Sequence, residues 1–338
     1  MQKLRRGSRI IGTGRFCPEK ILSNSDLEKI VDTSDEWIQT RTGIKERRLV
    51  EDHHASSDIG LFAAQEALKD AKVRAEDLDC IIVGTVTPDM QFPSTACFVQ
   101  DRLGAKNAAA FDLGAACSGF IYGVSTAHAM IVSGQMERVL VVGVEVLSKF
   151  VDWKDRATCV LFGDGAGAVV IEACDPGEGI LASYIKADGS LSDLLMIPAG
   201  GSRQPLSQAT YESGDQYIKM KGDGVFKYAV RAMVDAAHVV LKQTGFELKD
   251  VAHLIPHQAN IRIIDSVISR LGIEPEKVVI NVDRYGNTSS ATIPIALDEL
   301  CRSDKIKNGD VVLLVAFGGG LTWGSILFKH TASRGQAG

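Results

Sequence analysis

The stretch Ala108-Ala109-Ala110-Phe111-Asp112-Leu113-Gly114-Ala115-Ala116-Cys117-Ser118-Gly119 sets the terms for the whole chain. Its apolar beginning, residues 108–113, reads as a buried strand. The following run, residues 120–133, is mostly small and apolar, is stopped by Gly134, and reads as a helix. Cys117 is therefore expected on a tight strand-to-helix turn. Its neighbours are small, so backbone and substrate can approach the sulfur closely. The helix N-terminus, with its unpaired N–H groups and macrodipole, favours a thiolate at that place. Taken alone the residue admits two readings, a nucleophile or a buried structural cysteine.

Strands and helices alternate outward from this turn. Residues 10–13, 78–85 and 138–144 read as strands, and residues 59–71 as an amphipathic helix. A helix over 26–31 is expected to be capped by Asn24 or Ser25, and another is expected to start at Ser34 or Thr33. A helix from Ser94 or Thr95 to Leu103 ends at Gly104. The glycine-rich run Gly163-Asp164-Gly165-Ala166-Gly167 leads into a strand. A dinucleotide fingerprint leaves a strand and opens a helix, so these glycines are assigned to close backbone packing.

The second half repeats the first. Ala63-Ala64, Leu68-Lys69 and Asp77 recur as Ala236-Ala237, Leu241-Lys242 and Asp250, a shift of 173 residues. Arg102-Leu103-Gly104 recurs as Arg270-Leu271-Gly272, and the apolar run 139–143 as 311–315. Ordered matches at similar shifts imply two related α/β halves with a pseudo-twofold relation. The expected organisation is residues 1–174 as an N-terminal half carrying the cysteine, 175–216 as a connecting excursion, and 217–338 as a C-terminal half.

Composition narrows the function. The chain has 338 residues, 45% hydrophobic, with a net charge of −5. The acidic balance argues against general nucleic-acid binding and leaves room for a local basic patch. Seven scattered cysteines with no metal spacing fit free thiols in a reducing cytosol, with no metal site. No apolar run reaches membrane-spanning length and no signal-peptide pattern opens the chain, so a cytoplasmic protein without a membrane partner is expected.

Under the duplication, loops after equivalent strands should meet. Besides Cys117 they carry Pro256-His257-Gln258-Ala259-Asn260, following a strand at 253–255. They also carry Tyr285-Gly286-Asn287-Thr288-Ser289-Ser290-Ala291, following an expected strand at 278–282. The loop Phe317-Gly318-Gly319-Gly320 offers bare N–H groups of the kind an oxyanion hole requires. Each has a plainer reading: a helix-start histidine, a turn asparagine, a bulge of glycines. Together they supply a soft nucleophile, two neutral donors and an oxyanion site.

These motifs, Ala-Ala-Cys-Ser-Gly, Pro-His-Gln-Ala-Asn, Gly-Asn-Thr-Ser and Phe-Gly-Gly-Gly-Leu-Thr-Trp-Gly, resemble those of β-ketoacyl-acyl carrier protein synthase III. The resemblance runs from about residue 8 to 330. It implies a thiolase-like α/β fold whose two halves form α-β-α-β-α layers. It further implies a homodimeric acyltransferase that joins an acyl-CoA primer, acetyl-CoA first, to malonyl-acyl carrier protein. The products would be 3-ketoacyl-acyl carrier protein, CoA and carbon dioxide, with no cofactor. Cys117 would carry the acyl group. His257 and Asn287 would hold the malonyl thioester oxygen during decarboxylation. The N–H groups of Cys117 and Gly319 would form the oxyanion hole.

The resemblance also assigns substrate contacts. Trp37 and Arg156 would sandwich the CoA adenine, and Arg41 would meet its phosphates. On spacing alone, Trp37 and Arg41 equally fit a core tryptophan beside a solvated arginine. Thr33 and Asn260 would contact adenine and pantetheine, and Phe317 would line the substrate site. Phe92 would cross a dimer interface to close the partner's acyl pocket. Lys227, Arg231 and Arg262 would receive the acidic carrier protein. Trp153, within Asp152-Trp153-Lys154-Asp155-Arg156, departs from the family's loop and is expected near the channel mouth. Residues 202–216 are longer than in short members. Two alternatives stay open: a condensing enzyme of secondary metabolism with a bulkier primer, and a Cys-His-Asn thioesterase.

Overall fold

The computed structural model describes residues 6–331. Residues 1–5 and 332–338, the ends of the two expected halves, lie outside the described residues. Strands β1 (Gly7–Phe16), β2 (Cys80–Gly84), β3 (Ala109–Leu113), β4 (Arg138–Val146) and β5 (Asp164–Cys174) form a sheet in the order β1-β5-β4-β2-β3. Strands β6 (Ile180–Ala187), β7 (Val251–Pro256), β8 (Val311–Gly318) and β9 (Thr322–Lys329) form a second, in the order β7-β8-β9-β6. β2 runs parallel to both β4 and β3, and β7 runs parallel to β8, whereas β5 and β9 are antiparallel to both of their neighbours.

The strand order is therefore the same in the two halves, β6 standing for β1, β9 for β5, β8 for β4 and β7 for β2. The counterpart of β3 is reduced to one parallel bridge, Leu254 with Val278. Gly7 and Ile180 begin equivalent strands at the same 173-residue shift that the repeated helices show.

The strands are apolar on both faces because each face meets helices. Cys80, Ile82, Val139 and Val141 of the first sheet, and Val312 and Leu314 of the second, enclose a core containing Phe120, Val124, Leu297 and Leu300. Those four belong to α4 (Gly119–Val132) and α7 (Thr292–Cys301), the helices held between the sheets. The alternate residues Ile81, Val83, Leu140 and Val142 pack outward under α2 (Ser56–Ala71) and α3 (Thr95–Leu103). Leu254, Leu313 and Val315 pack outward under α5 (Gly222–Thr244) and α6 (Ile261–Leu271). This is the expected five-layer arrangement, and burial on both faces is what continuous Val/Ile/Leu strands signify. Each fully buried aliphatic side chain contributes roughly 1.5–3 kcal/mol.

Gly167 shows why the glycine-rich strand is needed. A Cβ there would stand 2.7 Å from the Pro294 Cβ of α7, so the expected close backbone packing holds. No described helix is long and apolar enough to cross a membrane.

Four local expectations are corrected. The segment 175–216, expected as a connecting excursion, supplies β6, the edge strand of the second sheet. Its strand character is masked by partial exposure and by flanking Gly177 and Gly179. The expected strand at 278–282 pairs only at Val278. Asn281 is drawn away, its N–H donating to Gln258 Oε1 and its side chain to Glu299, and a short helix Val282–Tyr285 follows. The helix expected over 26–31 is a short turn, Asn24–Leu27, capped by Ser23 through a capping box with Asp26. The loop around Asp155 closes into the helix Arg156–Cys159, with Asp155 as its cap.

Candidate active site

Cys117 lies in the turn Ala116–Ser118 between β3 and α4. Ala116 takes φ 47°, a left-handed conformation uncommon for a residue with a Cβ. The duplication places a second such turn, Ser289–Ala291, before α7, and there Ser289 takes φ 49°. The two turns meet at the seam between the halves, so Cys117 faces the asparagine loop across the pseudo-twofold axis. Gly318 closes the third side. A Cβ on it would stand 2.5 Å from the Cys117 nitrogen, so only glycine lets the 317–320 loop lie this close to the cysteine turn.

The thiol departs from expectation. Cys117 is buried, and burial pushes its pKa up to about 12, outweighing the Ser289 hydroxyl and its own backbone N–H. Burial thus favours the thiol form of Cys117, because desolvation penalises the anion more than the helix terminus favours it.

His257 follows β7 and anchors its N–H on the Val315 carbonyl at 2.8 Å. Burial lowers its pKa to about 3, which keeps the ring neutral. Its Nδ1 lies 2.7 Å from Thr292 Oγ1. Asn287 is fixed at three points. Its N–H donates to Leu161 O at 2.8 Å, its carbonyl accepts from Gly163 N at 3.1 Å, and its Oδ1 accepts from Ser289 N at 2.8 Å. With Oδ1 so held, Nδ2 remains as the donor toward the cavity.

A 390 Å³ channel runs from the surface to this group, lined by Trp37, Arg41, Asn260, Arg262 and Phe317, with Cys117, His257 and Asn287 at its foot. A second, largely apolar cavity of 260 Å³ lies beyond the sulfur, lined by Val86, Leu147, Met196, Ile197, Ile218 and Gly319.

The structure brings most of the expected substrate residues to the channel. The Arg156 guanidinium sits 4.9 Å over the Trp37 ring and Arg41 5.9 Å from it, so a flat base would take the place of Arg156 on the ring. Arg156 also donates to Asp32 O at 2.9 Å. Asn260 caps α6 through Ile263 N. Thr33 does not line the channel, although its Oγ1 is buried and without a partner. Phe92 lines neither cavity and is 84% exposed. Lys227 and Arg231 project from α5 into solvent, Arg231 beside Asp235 at 3.6 Å. Arg262 lies 5.5 Å over the Phe226 ring. Trp153 packs with the buried cluster of Leu27 and Ile38 and does not line the channel.

Residues 111–189 and 241–330 match the family models for 3-oxoacyl-[acyl-carrier-protein (ACP)] synthase III and its C-terminal region. The β-ketoacyl-[acyl-carrier-protein] synthase III of Caldanaerobacter subterraneus is 56% identical, over 95% of this chain and 97% of its own. The chain belongs to the β-ketoacyl-acyl carrier protein synthase III family.

It is accordingly an acyl-transferring condensing enzyme that initiates fatty-acid biosynthesis. The 3-oxoacyl-[acyl-carrier-protein] synthase III structure from Aquifex aeolicus superposes with a TM-score of 0.88 at 50% identity, covering 96% of this chain and all of that one. The priming β-ketosynthase of the R1128 polyketide pathway superposes at 0.90 with 35% identity, covering 98% of each chain.

Three site residues escaped the sequence motifs. Thr292 sits just past the quoted asparagine loop. Arg47, wholly buried, donates to Leu22 O, Asn24 Oδ1 and Val160 O. Glu145 is a lone acid ending the apolar run of β4, and such an acid in a two-sided buried strand was the available signal.

Proposed function

We propose that Cys117 takes the acyl group of an acyl-CoA primer and passes it to malonyl-acyl carrier protein, with His257 and Asn287 driving decarboxylation. The observation that carries this is the convergence of a buried thiol, a neutral imidazole and a free amide donor at the foot of one channel. Acyl transfer from CoA forms the thioester on Cys117 and releases CoA. The malonyl thioester then occupies the same channel. As carbon dioxide leaves, negative charge develops on the thioester oxygen. Two neutral donors fixed in a dry site stabilise that charge without reorganising. The enolate carbon attacks the acyl carbon on Cys117, and the resulting oxyanion is held by the N–H groups of Cys117 and Gly319. Side chains and backbone suffice, so no cofactor is invoked.

Lys227, Arg231 and Arg262 form the basic patch around the mouth that suits an acidic carrier protein. Trp37, Arg41, Arg156 and Asn260 receive the CoA arm, Thr33 contributes from outside the channel lining, and Phe317 lines the channel. The enzyme acts as a homodimer. Supporting this, β3 is a free sheet edge and Phe92 stands exposed beside the Thr95 helix that follows it.

The primer is acetyl-CoA. A second reading, a bulkier acyl primer, is favoured by one observation: the apolar cavity beyond Cys117 is far larger than an acetyl group. Intact-protein mass after incubation with a panel of acyl-CoAs, followed by malonyl-acyl carrier protein, separates the cases. A stable acetyl adduct on Cys117, discharged as the 3-ketoacyl carrier protein, is expected. Preferential adducts of longer chains favour the second reading, and an adduct lost to water alone identifies a thioesterase.

A further inference from the structure

Glu145, near the end of β4, is fully buried. Its Oε2 accepts from Thr87 Oγ1 at 2.7 Å and from Val86 N at 3.1 Å, with Thr85 Oγ1 at 3.3 Å. Its Oε1 accepts from Ser289 Oγ at 3.0 Å. None of these partners is a cation. Burying an acid in this way is costly, and burial raises the carboxyl to about 7. The contacts with residues 85–87 stay within the N-terminal half. The contact with Ser289 crosses the seam to the turn before α7.

Ser289 carries that contact to the chemistry. It takes φ 49°, a left-handed conformation that a residue with a Cβ keeps only when its surroundings hold it. Its hydroxyl donates to Glu145, its N–H donates to Asn287 Oδ1 at 2.8 Å, and its carbonyl accepts from Thr292 Oγ1 at 2.9 Å. The Thr292 oxygen lies in turn 2.7 Å from His257 Nδ1. Ser289 thus stands one hydrogen bond from Asn287 and two from His257. These bonds engage Oδ1 and Nδ1, so Nδ2 and Nε2 are the atoms left for the channel.

We propose that Glu145 is a positioning residue which, through Ser289, fixes the Asn287 amide and the His257 ring toward the malonyl thioester.

The need is geometric. Two groups stabilise a developing charge only while both are aimed at one point, and a misplacement of roughly 1 Å costs on the order of 10²-fold. Asn287 and His257 come from separate loops, and Ser289 is bonded toward both. Ser290 seats the same turn on β2 through Gly84 O at 2.7 Å. Glu145 sets the orientation of Ser289 within that seated turn. It touches no substrate and no proton moves through it.

The proposal rests on the decarboxylation role of Asn287 and His257, so one arm of its test needs no substrate. In 15N-labelled enzyme the Asn287 side-chain amide and the His257 ring nitrogens are identified by their loss in Asn287→Ala and His257→Ala. Glu145→Gln should shift or broaden both sets of resonances, and so should Ser289→Ala. Resonances unmoved in both variants overturn the proposal. The other arm measures acylation by intact mass and carbon dioxide release from malonyl-acyl carrier protein on the same samples. Glu145→Gln should slow carbon dioxide release roughly 10–100-fold, and by about tenfold more than it slows acylation. In an Asn287→Ala background the same substitution should cost no more than about threefold, because one of the two groups it positions is already gone. Equal losses in the two half-reactions, or an undiminished cost in the Asn287→Ala background, identify an acid that only holds the fold together and overturn the proposal. Ser289→Ala keeps the other donors to Glu145 and the Ser290 anchor, and decides the matter if Glu145→Gln does not fold. Resonances that move, in an enzyme whose Asn287→Ala variant releases carbon dioxide at the unaltered rate, leave the positioning standing and reject the decarboxylation role.

Discussion

Thr292 Oγ1 lies 2.7 Å from His257 Nδ1 and 2.9 Å from the Ser289 carbonyl. The hydroxyl donates to the Ser289 carbonyl, and its oxygen also meets the imidazole. The pair fixes the orientation of the His257 ring.

Thr292→Val removes that hydroxyl while keeping the shape. Acyl-enzyme formation from acyl-CoA should survive, and malonyl decarboxylation should fall roughly tenfold or more. Thr292→Ser should restore it. Intact mass and carbon dioxide release, measured on the same samples, check the split.

Asn287→Asp keeps the acceptor for Ser289 N and replaces the free donor by an oxygen. Carbon dioxide release should drop by roughly 10²–10³, the scale of losing one oxyanion donor, with acylation preserved. An equal loss in both half-reactions would count against the assignment.

Arg47→Met should cost about 3 kcal/mol or more, because it leaves buried carbonyls without a donor. It should also impair decarboxylation, since the Val160–Leu161 segment that Arg47 holds carries the carbonyl receiving the Asn287 N–H. Denaturant unfolding and carbon dioxide release, compared in one variant, test both effects.

His257 makes stability acid-sensitive. Its folded pKa, lowered by burial from 6.5 to about 3, means that the unfolded chain binds a proton in that window and the folded chain does not. Its contribution is present above the unfolded value and is lost as pH falls toward the folded one. His257→Gln should flatten the slope of unfolding free energy against pH between these limits, measured by denaturant titration.

Lys227→Glu lies outside the channel lining and should raise the KM for malonyl-acyl carrier protein while leaving acylation by acyl-CoA unchanged. Steady-state kinetics with each substrate varied in turn would show it.

Much of this was legible in the chain because the fold writes itself twice. The double-sided strands follow from apolar runs such as Val139–Val142, and the repeat located their counterparts. Cys117, His257 and Gly319 stood out because each sits in a loop at a strand end, whereas Asn287 follows the short helix that replaces the expected strand. What escaped depends on contacts between distant segments. The thiol was expected as an anion from its local turn, whereas burial by the other half decides its state. Strand β6 was hidden by its exposed, glycine-flanked edge, although the repeat shift carried from Gly7 points to it. Glu145 and Arg47 are charges whose roles appear only when three loops close over them.

The paired turns at Ala116 and Ser289 make the enzyme a property of a seam. One half brings Cys117, and the other brings His257, Asn287 and Ser289. Neither half alone assembles this group of side chains at the foot of the channel. A chain severed in the exposed stretch at 201–206 could regain function only by reassociation, and its rate of recovery would then report on the fit between two descendants of a single ancestral unit.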